Sequence, residues 1–174
     1  MSASDVNVSN VVLGHGHLKV DGVSVGAISG GIEIAKATDV YEVYVDQVKT
    51  PIQTKPIKET FTVKTNLAEA TLKNLRYMWN IPAAKQTGAD GQNATYIKVG
   101  VSTGVVEHTL EITGVSPIGI RVIQVYRAVS LQASAFAILE NKEVLFPVTF
   151  TCLADTTKPT GEELATIVDV TGSN

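Results

Sequence analysis

Hydrophobic and polar residues alternate along most of this chain, and that spacing predicts β-strands. The clearest alternation runs from Ile57 to Thr65, and others run from Val105 to Val115 and from Glu143 to Ala154. Successive side chains of a strand point to opposite faces, so each segment would bury one face and expose the other. About eight such segments occur at the spacing of a sandwich or barrel. The pattern therefore predicts a mainly-β fold, a β-sandwich or barrel.

One stretch departs from this alternation and follows the period of a helix. From Asn66 to Trp79, apolar residues recur at three- and four-residue steps. Asn66 is placed to cap the helix, with Glu69 three residues later, and Pro82 marks the end. We expect the helix to flank the sheets and to bury Leu72, Leu75 and Trp79. We expect it to direct Lys73, Asn74 and Arg76 toward water.

Glycine positions predict two further features of the backbone. Asp21-Gly22 lies between short alternating segments and predicts a tight hairpin turn, because both residue types tolerate positive φ. Later glycines, Gly26, Gly30 and Gly31, interrupt the apolar run of the return strand, which favours a bulge, a sharp bend or a close backbone approach.

The segment from Gln47 to Pro56 predicts a long loop between two strands. It contains two prolines and no acidic residue, and connections of this length are often functional. The sequence predicts a single domain over residues 1–174, and this loop is part of it. We expect an N-terminal arm at residues 1–12 and a polar C-terminal tail at residues 155–174.

Composition and charge exclude several classes of protein. Charged residues make up 18% of the chain and apolar residues 44%, enough to build a core. The net charge of −3 offers no broad basic field for nucleic acid, and no apolar run reaches the length of a membrane span. The first residues lack the basic and apolar regions of a signal peptide. We therefore expect a soluble protein made in a reducing cytoplasm, with no membrane partner.

Few residues suggest chemistry. Cys152 is the only cysteine, so it forms no disulfide within the chain, and its alternation with Phe150 predicts a buried thiol. His15 and His17 would share a strand face, but a metal site would need a third ligand that the sequence does not identify. Glu107 and Glu111 fit a solvated face better than a catalytic carboxylate pair. We expect no catalytic, cofactor or metal site, and no enzyme.

The order of these pieces resembles the tail tube proteins of long-tailed bacteriophages. The resemblance covers about residues 11 to 170, and it is carried by order rather than by one motif. It includes an early hairpin, two strands leading into the long loop, a helix that follows directly on a strand, and a closing strand. These are Gly16–Gly26 (GHLKVDGVSVG), Gly31–Ile34 (GIEI), Val43–Gln47 (VYVDQ), Leu67–Leu75 (LAEATLKNL) and Pro147–Asp155 (PVTFTCLAD).

The resemblance implies a structural virion protein. Subunits of this family form six-membered rings, and the rings stack into the hollow tail tube through which DNA is delivered to the host. It implies self-assembly, contacts with the tape measure protein and the tail terminator and tip proteins, and passage of DNA without specific binding. It places the protein in the virion tail, assembled in the host bacterial cytoplasm. One departure is residues 80 to 95, which are long for the connection after the helix.

Two sets of site residues follow from this reading. Contacts between stacked rings are expected in the long loop, because its prolines stiffen it and its apolar and basic residues suit docking. These residues are Val48, Lys49, Pro51, Ile52 and Lys55. Acidic residues are expected to face the channel, because such a wall would not bind DNA phosphates. We expect some of the following four residues to do so: Glu33, Glu42, Glu107 and Glu111.

Other functions remain open from the sequence. One alternative is the tube subunit of a contractile injection or secretion particle, and another is a capsid decoration protein. A small soluble enzyme or a ligand-binding barrel is a third. Rings or tubes would favour the tail tube subunit, and a monomer with a pocket would favour the enzyme or the ligand-binding barrel.

Overall fold

A computed structural model of the protein describes residue 12 and residues 14–82, 86–87, 96–100 and 104–171. The strands are β1 (His17–Val20), β2 (Val23–Ser24), β3 (Ile28–Val45), β4 (Val48–Leu67), β5 (Gln86–Thr87), β6 (Tyr96–Ile97), β7 (His108–Ser116), β8 (Gly119–Val129), β9 (Phe146–Cys152) and β10 (Ala165–Thr171). One helix, α1 (Leu72–Met78), is present among the described residues. The prediction of a mainly-β fold with one helix is therefore confirmed.

Eight strands form one antiparallel sheet in the order β2-β1-β7-β8-β9-β4-β3, with β10 also paired to β8. The sheet branches along β8. Its first half pairs with β10, whereas only Ala128 and Val129 pair with β9. Buried side chains from β1, β7 and β8 join those from β4 and β9 in a single cluster. The sheet therefore folds over itself to enclose one core.

The predicted alternation is confirmed in the strands that build this core. In β9, Phe146, Val148, Phe150 and Cys152 are buried while the residues between them are half-buried. In β7, His108, Leu110 and Ile112 are buried in the same manner. Apolar side chains at every second position thus determine which face of each strand turns inward.

Both glycine predictions are confirmed. Asp21 and Gly22 have φ values of 52° and 76°, and they join β1 to β2 in a two-residue turn. Gly30 and Gly31 have φ values of 76° and 81°, where the β3–β4 ladder shifts register between Ser29 and Ile32. Positive φ is accessible to glycine without steric cost, so this pair permits the bulge.

The predicted helix start at Asn66 is wrong. Asn66 and Leu67 end β4, where they pair with β3 on one side and with β9 on the other. The N-cap is Thr71, whose hydroxyl oxygen accepts a hydrogen bond from the Asn74 N–H at 3.2 Å. Sheet pairing on both sides, together with complete burial of Leu67, outweighs the local capping preference of Asn66.

The predicted buried face of the helix is wrong in part, because Leu75 packs against the core but is not fully buried. Asn74, Tyr77 and Met78 are buried, whereas Leu72 and Leu75 are half-buried and Trp79 is exposed. The Asn74 amide donates to the carbonyl oxygens of Val25 and Glu69, both at 2.8 Å. Because buried carbonyl groups need donors, this polar side chain turns inward and the helix rotates away from the predicted face.

The predicted loop at residues 47–56 is wrong, because β4 begins at Val48 and the segment is one strand of a hairpin. The predicted tail at residues 155–174 is wrong in part, because β10 pairs with β8 along all of its seven residues. Of the predicted N-terminal arm, residues 1–11 lie outside the described residues. Among described helices, none has the length and apolar character needed to cross a membrane.

Candidate functional site

The length of the β3–β4 hairpin sets it apart from the other described strands of the sheet. Its strands contain 18 and 20 residues, against about 3–10 residues for most strands. The body holds only its base, where Thr62–Leu67 of β4 pairs with β9. From residue 35 to residue 59 every side chain except half-buried Val43 is exposed. We call residues 35–59 the exposed hairpin; at the usual rise it is roughly 35 Å long.

Two breaks in the ladder interrupt the exposed hairpin, and each lies at a proline. The register shifts between Asp39 and Val40, where Val40 pairs with Pro56. It shifts again between Val43 and Val45, and Pro51 lies in the unmatched part of β4. Proline has no N–H to donate to a ladder, so it is accommodated at edges and bulges. The prolines that predicted a loop therefore mark irregularities within a strand.

The exposed hairpin presents large apolar side chains to solvent. Tyr41 is 60% exposed and Ile57 is 68% exposed. The others are Val40, Tyr44, Val45, Val48 and Ile52. Val40 and Tyr41 are consecutive, so both faces carry apolar groups. An isolated two-stranded hairpin is at best marginally stable in water, and clustered exposed apolar side chains are typical of interaction surfaces.

The two strands of the exposed hairpin carry opposite charge. Between residues 39 and 46, β3 and the turn contain Asp39, Glu42 and Asp46 and no basic residue. Between residues 48 and 58, β4 contains Lys49, Lys55 and Lys58 and no acidic residue. Within the described part of this hairpin, the ion pair is Lys36–Glu59 at 3.1 Å, near its base. Beyond it, Asp39 and Lys58 face each other across the ladder, and Glu42, Asp46, Lys49 and Lys55 make no ion pair within the described residues.

The five residues predicted to contact a stacked ring all lie on β4 in the outer part of the exposed hairpin. Val48, Lys49, Pro51, Ile52 and Lys55 are each exposed. The structure therefore groups them on a surface that is open to a partner, although they belong to a strand and not to a loop. Their role in ring stacking stays a prediction.

The four glutamates predicted to face a channel are not grouped in the same way. Glu33 and Glu42 lie on opposite faces of β3, because an odd number of positions separates them. Glu111 pairs with Lys19 at 2.7 Å and Glu33 lies 3.7 Å from Lys64. Glu107 receives two hydrogen bonds from the Arg127 guanidinium, which lower its pKa. Only Glu42 is free of a basic partner among them.

The remaining candidates for chemistry have structural explanations. The His15 and His17 rings pack edge to face with centroids 5.1 Å apart, and no cluster of three metal-ligating side chains occurs among the described residues. Cys152 is buried, as predicted, and burial raises the pKa of its thiol to about 12. At neutral pH this thiol is protonated and is a poor nucleophile.

A buried polar contact was missed by the sequence analysis. His108 lies in the core with its Nδ1 2.7 Å from Asp21 Oδ2. Asp21 Oδ1 also accepts the Thr109 N–H at 2.9 Å. These contacts attach the β1–β2 turn to β7. The position of His108 on the apolar face of an alternating segment was the available signal for its burial.

An apolar cleft of about 560 Å³ lies where β3 passes the ends of β7 and β8. Its walls include Ile28, Ile32, Ile112 and Ile123. Its charged groups already have partners: Glu33 lies near Lys64, and Arg121 donates two hydrogen bonds to Asp169. A ligand site of this size usually offers a few convergent polar groups, and the charged groups of this cleft are already engaged. A small-ligand site in the cleft is therefore less well supported than a protein-binding surface on the exposed hairpin.

Comparison with known protein families finds no family whose pattern matches this chain. Comparison with curated protein sequences finds no significant match either.

Proposed function

We propose that this protein is the self-assembling subunit of a bacteriophage tail tube, forming six-membered rings that stack into a conduit for DNA. The observation that carries the proposal is the exposed hairpin, whose two faces present apolar residues that solvent alone would not stabilise. A subunit that is covered by copies of itself accounts for such a surface. The resemblance in the order of elements supplies the identity of the assembly.

Physical considerations support an assembly that extends. A contact between different surfaces of identical subunits generates a ring if the rotation closes and a filament if it does not. Strand edges that are unpaired in a subunit are also covered when subunits join. A net charge of −3 suits a conduit through which DNA passes without being bound.

Shortening the exposed hairpin tests this function. Asp39 and Lys58 are paired, so replacing residues 40–57 by Asn-Gly would rejoin the two strands through a favoured two-residue turn. We expect the variant to fold, since the buried part of β4 begins at Phe61, and to form neither rings nor tubes. Negative-stain microscopy would measure assembly, and circular dichroism and thermal melting would verify the fold.

A matched control shortens a different exposed connection. Replacing residues 138–140, in the irregular segment after β8, by Gly-Ser removes exposed apolar groups without touching the hairpin. We expect this control to assemble as the parent does. Tubes formed by the shortened hairpin variant, or a parent that remains a monomer at high concentration, would overturn the proposed function.

A further inference from the structure

The two edges of the exposed hairpin differ in charge and in backbone character, and this difference suggests how copies meet. The β3 edge is acidic, without lysine or proline between residues 39 and 46. The β4 edge is basic and is interrupted by Pro51 and Pro56. In the described part of the chain, both edges are unpaired beyond the base, because β3 pairs only with β4 and β9 reaches only to Thr62.

We infer that the exposed hairpins of neighbouring copies lie side by side, with the acidic β3 edge of one copy against the basic β4 edge of the next. The inference rests on the self-assembly in the proposed function and adds the polarity of the contact. Opposite charges attract across the contact, whereas β3 against β3 would place Asp39, Glu42 and Asp46 against the same acids. The charge difference therefore selects a head-to-tail arrangement.

Free charges are available for this contact. Lys49 and Lys55 make no ion pair within the described structure, and Glu42 accepts only the Tyr44 hydroxyl. That hydrogen bond raises the pKa of Tyr44 and keeps the Glu42 carboxylate beside an aromatic ring. Asp39 faces Lys58 within its own hairpin. Glu42, Asp46, Lys49 and Lys55 are therefore the groups that would decide the contact between copies.

The edge strand β10 is a poorer partner for the acidic edge. β10 carries one charged residue, Asp169, which Arg121 of the same sheet already binds. It offers no basic group to Glu42 or Asp46. The prolines of β4 reduce backbone pairing there, so side-chain attraction and apolar contact would hold the two hairpins together.

A head-to-tail contact also explains why both faces of the exposed hairpin carry apolar residues. Side-by-side hairpins extend each face across neighbouring copies, so Val40 and Tyr41 contribute to two continuous surfaces instead of one isolated strand pair. A wall of this kind is stabilised as three or more strands join.

Reversing the charge of each edge separately tests the inference. One variant carries Glu42→Lys and Asp46→Lys, which makes both edges basic; the other carries Lys49→Glu and Lys55→Glu, which makes both edges acidic. We expect each variant alone to lose assembly by about tenfold or more at a given concentration, because like charges would face each other. Sedimentation velocity measures the assembled fraction, and circular dichroism verifies the fold.

Mixing provides the decisive measurement. In an equimolar mixture, each basic edge can face an acidic edge, so we expect assembly to return with the two variants alternating. A protein with all four reversals is expected to assemble with itself. Glu140→Lys and Lys142→Glu, at exposed positions outside the hairpin, are the matched controls and should assemble as the parent does.

Several outcomes would overturn the inference. Assembly of either single-edge variant at the parent's level would do so, and so would a mixture that assembles no better than its components or a parent that stays monomeric. Head-to-tail oligomers that never form tubes would contradict the tail tube function while supporting the edge contact. Tubes formed equally by every variant would support the function and contradict the edge contact.

Discussion

The base of the β3–β4 ladder, which belongs to the core, and the exposed hairpin are parts of the same two strands, yet they follow different rules. At the base of β4, Phe61, Val63, Thr65 and Leu67 are buried and the alternation is strict. Farther out the same strand has no buried residue and includes two prolines. Burial in the body is determined by the chain's own core, whereas the exposed hairpin has a surface that only another molecule would cover. Stability and assembly are therefore expected to depend on separate residues.

Valine truncation along this ladder should separate the two regions most strongly. Val63 is fully buried and Val40 is 48% exposed in the same hairpin. We expect Val63→Ala to lower the free energy of unfolding by about 2–3 kcal/mol, since buried methyl groups and packing are lost. Val40→Ala should lower it by less than about 0.5 kcal/mol in the unassembled protein. Urea unfolding at low protein concentration measures both, and equal effects would contradict the distinction.

Removal of a buried amide should have a somewhat smaller effect, confined to the body. Asn74→Ala leaves the carbonyl groups of Val25 and Glu69 without their donor, which we expect to cost about 1–3 kcal/mol. Asn66→Ala is the matched control, because the Asn66 amide makes only a 3.4 Å contact with the Ser29 carbonyl. Thermal melting would compare the two, and a larger loss for Asn66→Ala would refute this account of the helix.

Acid sensitivity at the β8–β10 edge should be the smallest effect. Hydrogen bonds from Arg121 lower the pKa of Asp169 below its usual value. A carboxylate with a lowered folded-state pKa stabilises the fold fully above its unfolded pKa, near 4, and that contribution disappears as pH falls through the folded-state value. We expect Asp169→Asn to reduce the melting temperature slightly at pH 7, with the difference shrinking below about pH 4. Melting curves of the parent and of Asp169→Asn between pH 7 and pH 2.5 measure this difference. A difference that stays constant with pH would show that ionisation of Asp169 does not contribute to stability.

Local patterns in the sequence predicted the strands of the body well. Alternation identified the buried faces of β7 and β9, and glycine chemistry identified the Asp21-Gly22 turn and the Gly30-Gly31 bulge. In each case the signal and its cause lie within a few residues. The burial of Cys152 followed from the same alternation.

The errors occurred where distant residues decide the structure. Asn66 has a good local signal for a helix cap, but β3 and β9 place it in a sheet. Asn74 looked solvent-facing on a helical wheel, but the carbonyl groups of Val25 and Glu69 draw it inward. Pro51 and Pro56 predicted a loop because a local reading does not show that pairing with β3 continues past them.

The sequence by itself determined the mainly-β class, the inward faces of the core strands and the opposite charges of the two segments around residue 47. Those properties depend on side-chain period and residue type. Tertiary structure alone decided that these segments form one hairpin, that the hairpin extends beyond the core, and that acidic and basic edges lie on its two sides. Strand pairing joins residues distant in the chain, and its free energy depends on partners that no local pattern specifies.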